Sequence, residues 1–208
     1  NELITEEMWS SCDVRTPFCQ DWFSPKCDCA VLEVSNYAEA SFPSNMMSEM
    51  KSLIKIGVYH GRLEQLPHDI GVASQLAVLD IVRNKLRTLP QSLEKCSQLL
   101  AVQLVQNNLT ALPDYFRAFT NLYVLRVDSN FIETFHDNIL ELTALRELYA
   151  RNNSLNALSP HLGNLKKLSI LDVRQNNLTA FPTMGNDRSL RVYAEGNPLC
   201  RSDHGSAN

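Results

Sequence analysis

The chain has 208 residues, 44% of them hydrophobic, with 19 Lys and Arg against 23 Asp and Glu, a formal net charge of −4. A mildly acidic chain with no basic stripe is a poor general binder of nucleic acid or anionic membranes. No apolar run approaches the roughly 18 residues of a membrane span, no signal peptide opens the sequence, and the first residue is Asn1, so the chain reads as an excised or processed piece of something longer.

Residues 1–28 differ in kind from the rest, with Trp9, Phe18, Trp22 and Phe23 suited to a small core and cysteines at 12, 19 and 27. From Cys29 onward the apolar residues recur. A degenerate first unit aligns Cys29, Leu32 and Val34, then Phe42-Pro43, then Met46 and Met50. The second runs Leu53, Ile56, Val58, Leu63, Leu66, Ile70. The pattern then becomes regular in LAVLDIVRNKLRTLPQSLEKCSQ, Leu76 to Gln98, and returns from Leu99, Leu122, Leu145 and Leu168, 23 residues apart each time. A fixed period of this length marks a stacked repeat and outranks local propensity.

Within each unit LxxLxL alternates, so Leu79 and Ile81 point one way and Asp80 and Val82 the other, as a short strand requires. One unit cannot cover its own apolar stripe, so the units stack with their strands in one parallel sheet at ~4.8 Å per step. About eight coils then make a sheet roughly 35 to 40 Å across. The expected fold is α/β: a right-handed solenoid with a parallel sheet on its concave face and short helical, 3₁₀ or irregular returns on the convex side.

Asn84, Asn107, Asn130, Asn153, Asn176 and Asn197 recur where the chain leaves the strand. An amide donates and accepts, so a stacked Asn column can satisfy backbone groups that lose their ladder partners there. Gly61 and Tyr37 hold that place in the first two coils, which predicts a weak ladder at that end. Leu66-Pro67, Leu89-Pro90 and Leu112-Pro113 put proline where its fixed φ can start a 3₁₀ return. Leu93 and Cys96 close the convex side. Cys96 and Cys200 are about five coils apart, roughly 24 Å, too far for a disulfide; Cys96 is expected to be a buried free thiol. The coil from Leu168 is shortened after Phe181-Pro182, and the last strand, around Val192 and Ala194, arrives early before Asn197, Pro198, Leu199 and Cys200.

These residues resemble the 23-residue LP class of leucine-rich repeats. The lead-in CDCAVL, the LP repeats and the GNPLC ending together are similar to ectodomains of surface leucine-rich-repeat proteins and receptor-like kinases of microbial eukaryotes. The resemblance divides the chain into a cysteine-rich N-terminal cap, 1–28, a solenoid, 29–197, and the start of a C-terminal flank, 198–208, whose remainder, with any membrane anchor or kinase, lies past Asn208. Cys12, Cys19, Cys27 and Cys29 resemble the disulfide-bonded caps of extracellular leucine-rich repeats, connectivity open. A four-thiolate zinc site is the rival reading, disfavoured because zinc sites prefer CxxC to CxC. In a secreted protein the sequons at Asn108, Asn152 and Asn177 become glycan sites, although the repeat also makes such triplets for its own reasons.

The residues between the buried strand positions are displayed on the sheet. Tyr59, Arg126, Asp128, Tyr149, Arg151, Asp172, Arg174 and Tyr193 are the candidate ligand contacts, since Tyr and Arg combine large rigid contact area with polar ends. Exposed ion pairs worth about 0 to 1 kcal/mol are the plainer reading of the same charges. Phe131 stands beside this face as an exposed aromatic. No phosphate-cradling loop, HExxH, nucleophile elbow or kinase signature occurs, and no metal or cofactor is expected. The function expected is recognition of a protein or peptide ligand outside the cell or at its surface; the alternative is a cytoplasmic scaffold or adaptor with the same repeats.

Overall fold

A computed structural model describes residues 30–42, 46–182 and 189–201. The expected cap and its four cysteines lie outside these residues. Eight strands form one parallel sheet in chain order: β1 Val31–Ser35, β2 Lys55–Tyr59, β3 Val78–Val82, β4 Ala101–Gln103, β5 Val124–Arg126, β6 Glu147–Tyr149, β7 Ile170–Asp172 and β8 Arg191–Tyr193. In-register pairing puts Ile56, Leu79, Val102, Leu125, Leu148, Leu171 and Val192 in one column. All of these are buried except Val192, 39% exposed on the last strand. Pairing of Ile170 with Arg191 comes two residues sooner than pairing of Glu147 with Ile170, the shortened coil seen in the sequence.

Short 3₁₀ turns return the chain on the other side, over Ile70–Val72, Gln91–Lys95, Asp114–Ala118, Asp137–Glu141 and Leu162–Asn164. Pro90 and Pro113 stand extended immediately before two of them, at φ −70° and −63°; His136 takes the same conformation without the ring, at φ −66°. Each turn buries an apolar residue at the same place, Ile70, Leu93, Phe116, Ile139 or Leu162, and the third buries Tyr115 as well. Phe116 and Phe119 meet edge to face at 5.1 Å. Cys96 is a buried free thiol whose Sγ lies 3.4 Å from the Ala73 carbonyl, and burial pushes it up to about 11. In the first coil Met47 and Met50 are the buried methionines described at the closing position.

The asparagine column ties coil to coil. Asn130 Nδ2 donates to Leu104 O of the preceding coil at 2.8 Å and to Val127 O of its own at 3.0 Å, while its Oδ1 accepts Leu109 N–H at 3.0 Å. The same three-way set recurs at Asn107, Asn153, Asn176 and Asn197, reaching back respectively to Ile81, Val127, Ala150 and Val173 carbonyls at 2.7 to 2.9 Å. The column ends at Asn84, which bonds Val58 O at 2.9 Å and accepts Leu63 N–H at 3.1 Å. A Cβ on Gly61 would lie 2.5 Å from Asn84 Oδ1, so glycine is what lets this last rung close.

One residue ahead of each rung the backbone turns left-handed. Asn36, His60, Arg83, Gln106, Ser129, Asn152 and Gln175 all have φ between 54° and 59°, and Gly196 has φ 81°. A side chain there costs about 1–2 kcal/mol.

Two stability measurements follow from these columns. Asn130→Ala strands the buried Leu109 N–H, while the Leu104 carbonyl keeps its second donor, Asn107 Nδ2 at 3.2 Å; urea unfolding is expected to show a loss of about 1–3 kcal/mol. Gln106→Val puts a β-branched side chain at positive φ and is expected to cost about 1–2 kcal/mol, whereas Gln106→Gly stays within roughly 1 kcal/mol of the parent.

Candidate functional site

Strand alternation places three columns of side chains on the open face of the sheet. The middle one runs Glu33, Gly57, Asp80, Gln103, Arg126, Tyr149, Asp172, Tyr193. Two residues toward the strand starts lies a second column with Lys55, Val78, Ala101, Val124, Glu147, Ile170 and Arg191, and two residues the other way a third with Tyr59, Val82, Val105, Asp128, Arg151 and Arg174. The left-handed residues form the rim beside this third column.

At β1 to β3 the face closes on itself. Lys55, only 5% exposed, holds its Nζ 2.5 Å from Glu33 Oε1 and 3.7 Å from Asp80 Oδ2. Tyr59 folds back over Gly57, where a Cβ would lie 2.7 Å from its hydroxyl, and donates toward Glu33 Oε1 at 3.4 Å and Asp80 Oδ2 at 3.3 Å. Burial raises the Asp80 carboxyl above its ordinary range against the opposing pull of Lys55, and it raises Tyr59 together with the two acids. Tyr59 is therefore engaged within the chain. Asp80, displayed in the sequence reading, is 6% exposed.

From β4 onward the face is open. Val105, Gln106, Asp128, Ser129, Tyr149, Arg151, Asn152, Asp172, Arg174 and Gln175 line a shallow depression of ≈ 400 Å³. It brings together Asp128, Tyr149, Arg151, Asp172 and Arg174 of the candidate contacts. Arg126 lies over the Tyr149 ring at 4.3 Å, and Tyr149 donates to Glu147 Oε2 at 3.0 Å. Arg151 donates its backbone N–H to Asp128 Oδ1 and its Nε to Gln175 Oε1, each at 3.0 Å. Tyr193 is beyond the depression but stacks under the Arg174 guanidinium at 5.4 Å.

The two acids of the depression differ. Burial pushes the Asp128 carboxyl up, and the nearby Asp172 charge adds to this against the Arg151 N–H. Burial also presses Asp172 upward, but Arg174 outweighs it by donating from its backbone, its Nε at 2.9 Å and its terminal nitrogen, and holds the carboxyl below the usual range. Asp172 is 3% exposed, so it positions Arg174 instead of meeting solvent.

Lys55, Gly57 and Glu147 belong to the face and escaped the sequence reading. The signal was present: the strand alternation extends one step ahead of the first buried strand leucine. Of the sequons, Asn152 sits on the rim with Nδ2 donating to Ser129 Oγ at 3.2 Å, while Asn108 and Asn177 follow their ladder residues on the outer side of the turn, Asn177 exposed and Asn108 half-buried. Phe131 is 57% exposed beside the rim. Among the described residues no His, Cys, Asp and Glu cluster could hold a metal, and no helix is long and apolar enough to cross a membrane.

A family profile described as "Leucine-rich repeat region" matches residues 25–192. Among solved structures the chain is similar to a leucine-rich-repeat protein of Leptospira interrogans, at 24% identity and a TM-score of 0.66 over 80% of this chain and 49% of that one. It is similar to an internalin of Listeria monocytogenes, at 21% identity and TM-score 0.67 over 78% and 46%. It is also similar to the ectodomain of a membrane receptor kinase of Arabidopsis thaliana, solved with Casparian strip integrity factor 2, at 24% and 0.72 over 81% and 21%. The chain thus spans half or less of the length of each of these. No curated protein matches it in sequence.

The closed end of the face yields its own test. Lys55→Met leaves Glu33 and Asp80 facing one another without their cation, and chemical denaturation is expected to register a loss of about 3 kcal/mol. Adding Asp80→Leu to that variant should recover part of it.

Proposed function

The chain belongs to the leucine-rich-repeat family, and from that premise we propose that it recognises a protein or peptide ligand on the open face of its sheet, as the extracellular or surface-exposed part of a larger protein. The family and fold support a protein–protein interaction module. The observation that carries this reading is the depression over the coils of β4 to β7, where Tyr149, Arg151 and Arg174 are held in place by their neighbours, with Arg126 beside it braced on the Tyr149 ring. Side chains already ordered lose less entropy on binding, so contacts made to them are worth more. The receptor-kinase ectodomain, solved with a bound factor, is a precedent for this architecture as a ligand-binding one.

On this reading residues 1–28 form a disulfide-bonded cap over the β1 end, and Asn108 and Asn177 are the sequons whose glycans leave the face clear. A scaffold inside the cell would share the fold and the face but would carry reduced cysteines and no glycan.

Selection of binders from a random peptide display library, followed by affinity measurement on substituted protein, tests the face assignment. Tyr149→Ala and Arg151→Glu are each expected to weaken the selected ligands at least about tenfold. Arg117→Gln on the convex side should leave them unchanged. Equal affinities for all three variants would place the ligand elsewhere on the molecule.

A further inference from the structure

Resting on the sheet-face reading, we propose that the ligand presents an acidic segment in extended conformation, its carboxylates lying across Arg126 and Arg151. The argument is an imbalance between committed acceptors and uncommitted donors. Each acid of the patch already accepts a hydrogen bond from within the chain. Asp172 is enclosed by Arg174, Asp128 takes the Arg151 backbone N–H, and Glu147 takes the Tyr149 hydroxyl. Neither guanidinium is engaged by a carboxylate in this way: Arg126 feels the Asp128 charge and Arg151 the Asp172 charge only from a distance, and the near partners of each are neutral, the Tyr149 ring and Gln175. Among the described residues neither Arg126 nor Arg151 lies within 4.0 Å of a carboxylate oxygen.

Both are nevertheless set in place. Arg126 is braced on the Tyr149 ring and Arg151 is tied through Nε to Gln175, which leaves the terminal nitrogens of Arg151 facing the depression. A planar guanidinium held by its flank is well suited to a bidentate carboxylate, because less freedom is lost when the pair forms. Spacing agrees with an extended ligand. Arg126 is the register partner of Tyr149, and Arg151 stands two residues further along, so their Cα atoms are roughly 8 Å apart on sheet geometry. Alternate side chains of an extended peptide repeat every ~7 Å or so, within reach of both. A basic segment would meet Arg126 and Arg151 over β5 and β6, and the exposed acid of the same column, Glu195, lies past Arg174 at the far end of the face.

The test uses three labelled, N-acetylated dodecapeptides, alternating Gly with Glu, Lys or Ser, and reads fluorescence anisotropy on the protein with all its residues. The Glu peptide is expected to bind at least about tenfold tighter than the other two, and to weaken as salt is raised. Arg126→Gln and Arg151→Gln should each reduce its affinity about five- to tenfold, with Arg126→Lys and Arg151→Lys retaining part of it, and Arg117→Gln on the convex side should have no effect. Circular dichroism on each variant confirms that it is folded. Binding of the Glu peptide no tighter than the Ser peptide, or equal losses in Arg117→Gln and the face variants, overturns the proposal. Failure here is distinct from failure of the recognition reading. If display-selected ligands remain sensitive to Tyr149→Ala yet show no enrichment in Asp and Glu, only the acidic preference falls. If they ignore that substitution, the face itself is wrong.

Discussion

The structure depends on one hydrogen-bonded group repeated along the stack: the side-chain amide of an asparagine at the end of each strand. Where the chain leaves the sheet its N–H and C=O groups lose their strand partners inside the body of the molecule, and buried backbone groups cannot be left unpaired cheaply. Each amide answers this by donating to a carbonyl of its own coil and one of the coil before, while accepting an N–H from that earlier coil. Because every amide reaches back one step, it sets the distance and register between coils. The straight columns of the open face, and hence the alignment of Arg126 with Tyr149, are consequences of that register.

The turn that delivers each asparagine is the source of the rim. It requires positive φ one residue earlier, which Gly196 meets freely and five non-glycine residues, Arg83, Gln106, Ser129, Asn152 and Gln175, accept as strain because stacked neighbours hold them there; Asn36 and His60 take the same φ ahead of Tyr37 and Gly61. Their side chains then project beside the face and form a second, solvent-exposed set of contacts. Arg83 Nε reaches Gln106 Oε1 at 2.6 Å, and Asn152 reaches Ser129. A purely structural demand in the interior therefore decides which polar groups border the binding surface.

Along its length the face is uneven. At β1 to β3 a lysine, two acids and a tyrosine pair with one another through Glu33 Oε1 and Asp80 Oδ2, with Gly57 supplying the room for the tyrosine ring and Asp80 Oδ1 buried without a hydrogen-bond partner among the described residues; these groups offer little to a ligand without first being separated. From β5 to β7 the acids are satisfied by neutral donors or by Arg174, and two guanidiniums are braced by an aromatic ring and an amide. The difference arises from which residue types the stack places side by side, and it directs recognition toward the later coils.

The 23-residue period by itself determined the solenoid, the parallel order of the strands, the buried leucine column and the positions of the asparagines. Those features were legible because in a stacked repeat the same local pattern that forms one coil also forms its interface with the next. Periodicity could also mark Arg126, Tyr149, Arg151 and Arg174 as face residues. It could not tell that Asp80 and Asp172 are buried, that Lys55 bridges two acids, or that Tyr59 is turned inward over Gly57. Only the tertiary structure decided these: around Lys55, Tyr59 and Asp80 the partners lie 21 to 26 residues apart in the chain and become neighbours only when the coils stack. Asp172 has its partner Arg174 two residues away, yet even there the sequence shows two exposed charges on one strand, and the packing of adjacent coils makes one of them the buried anchor of the other.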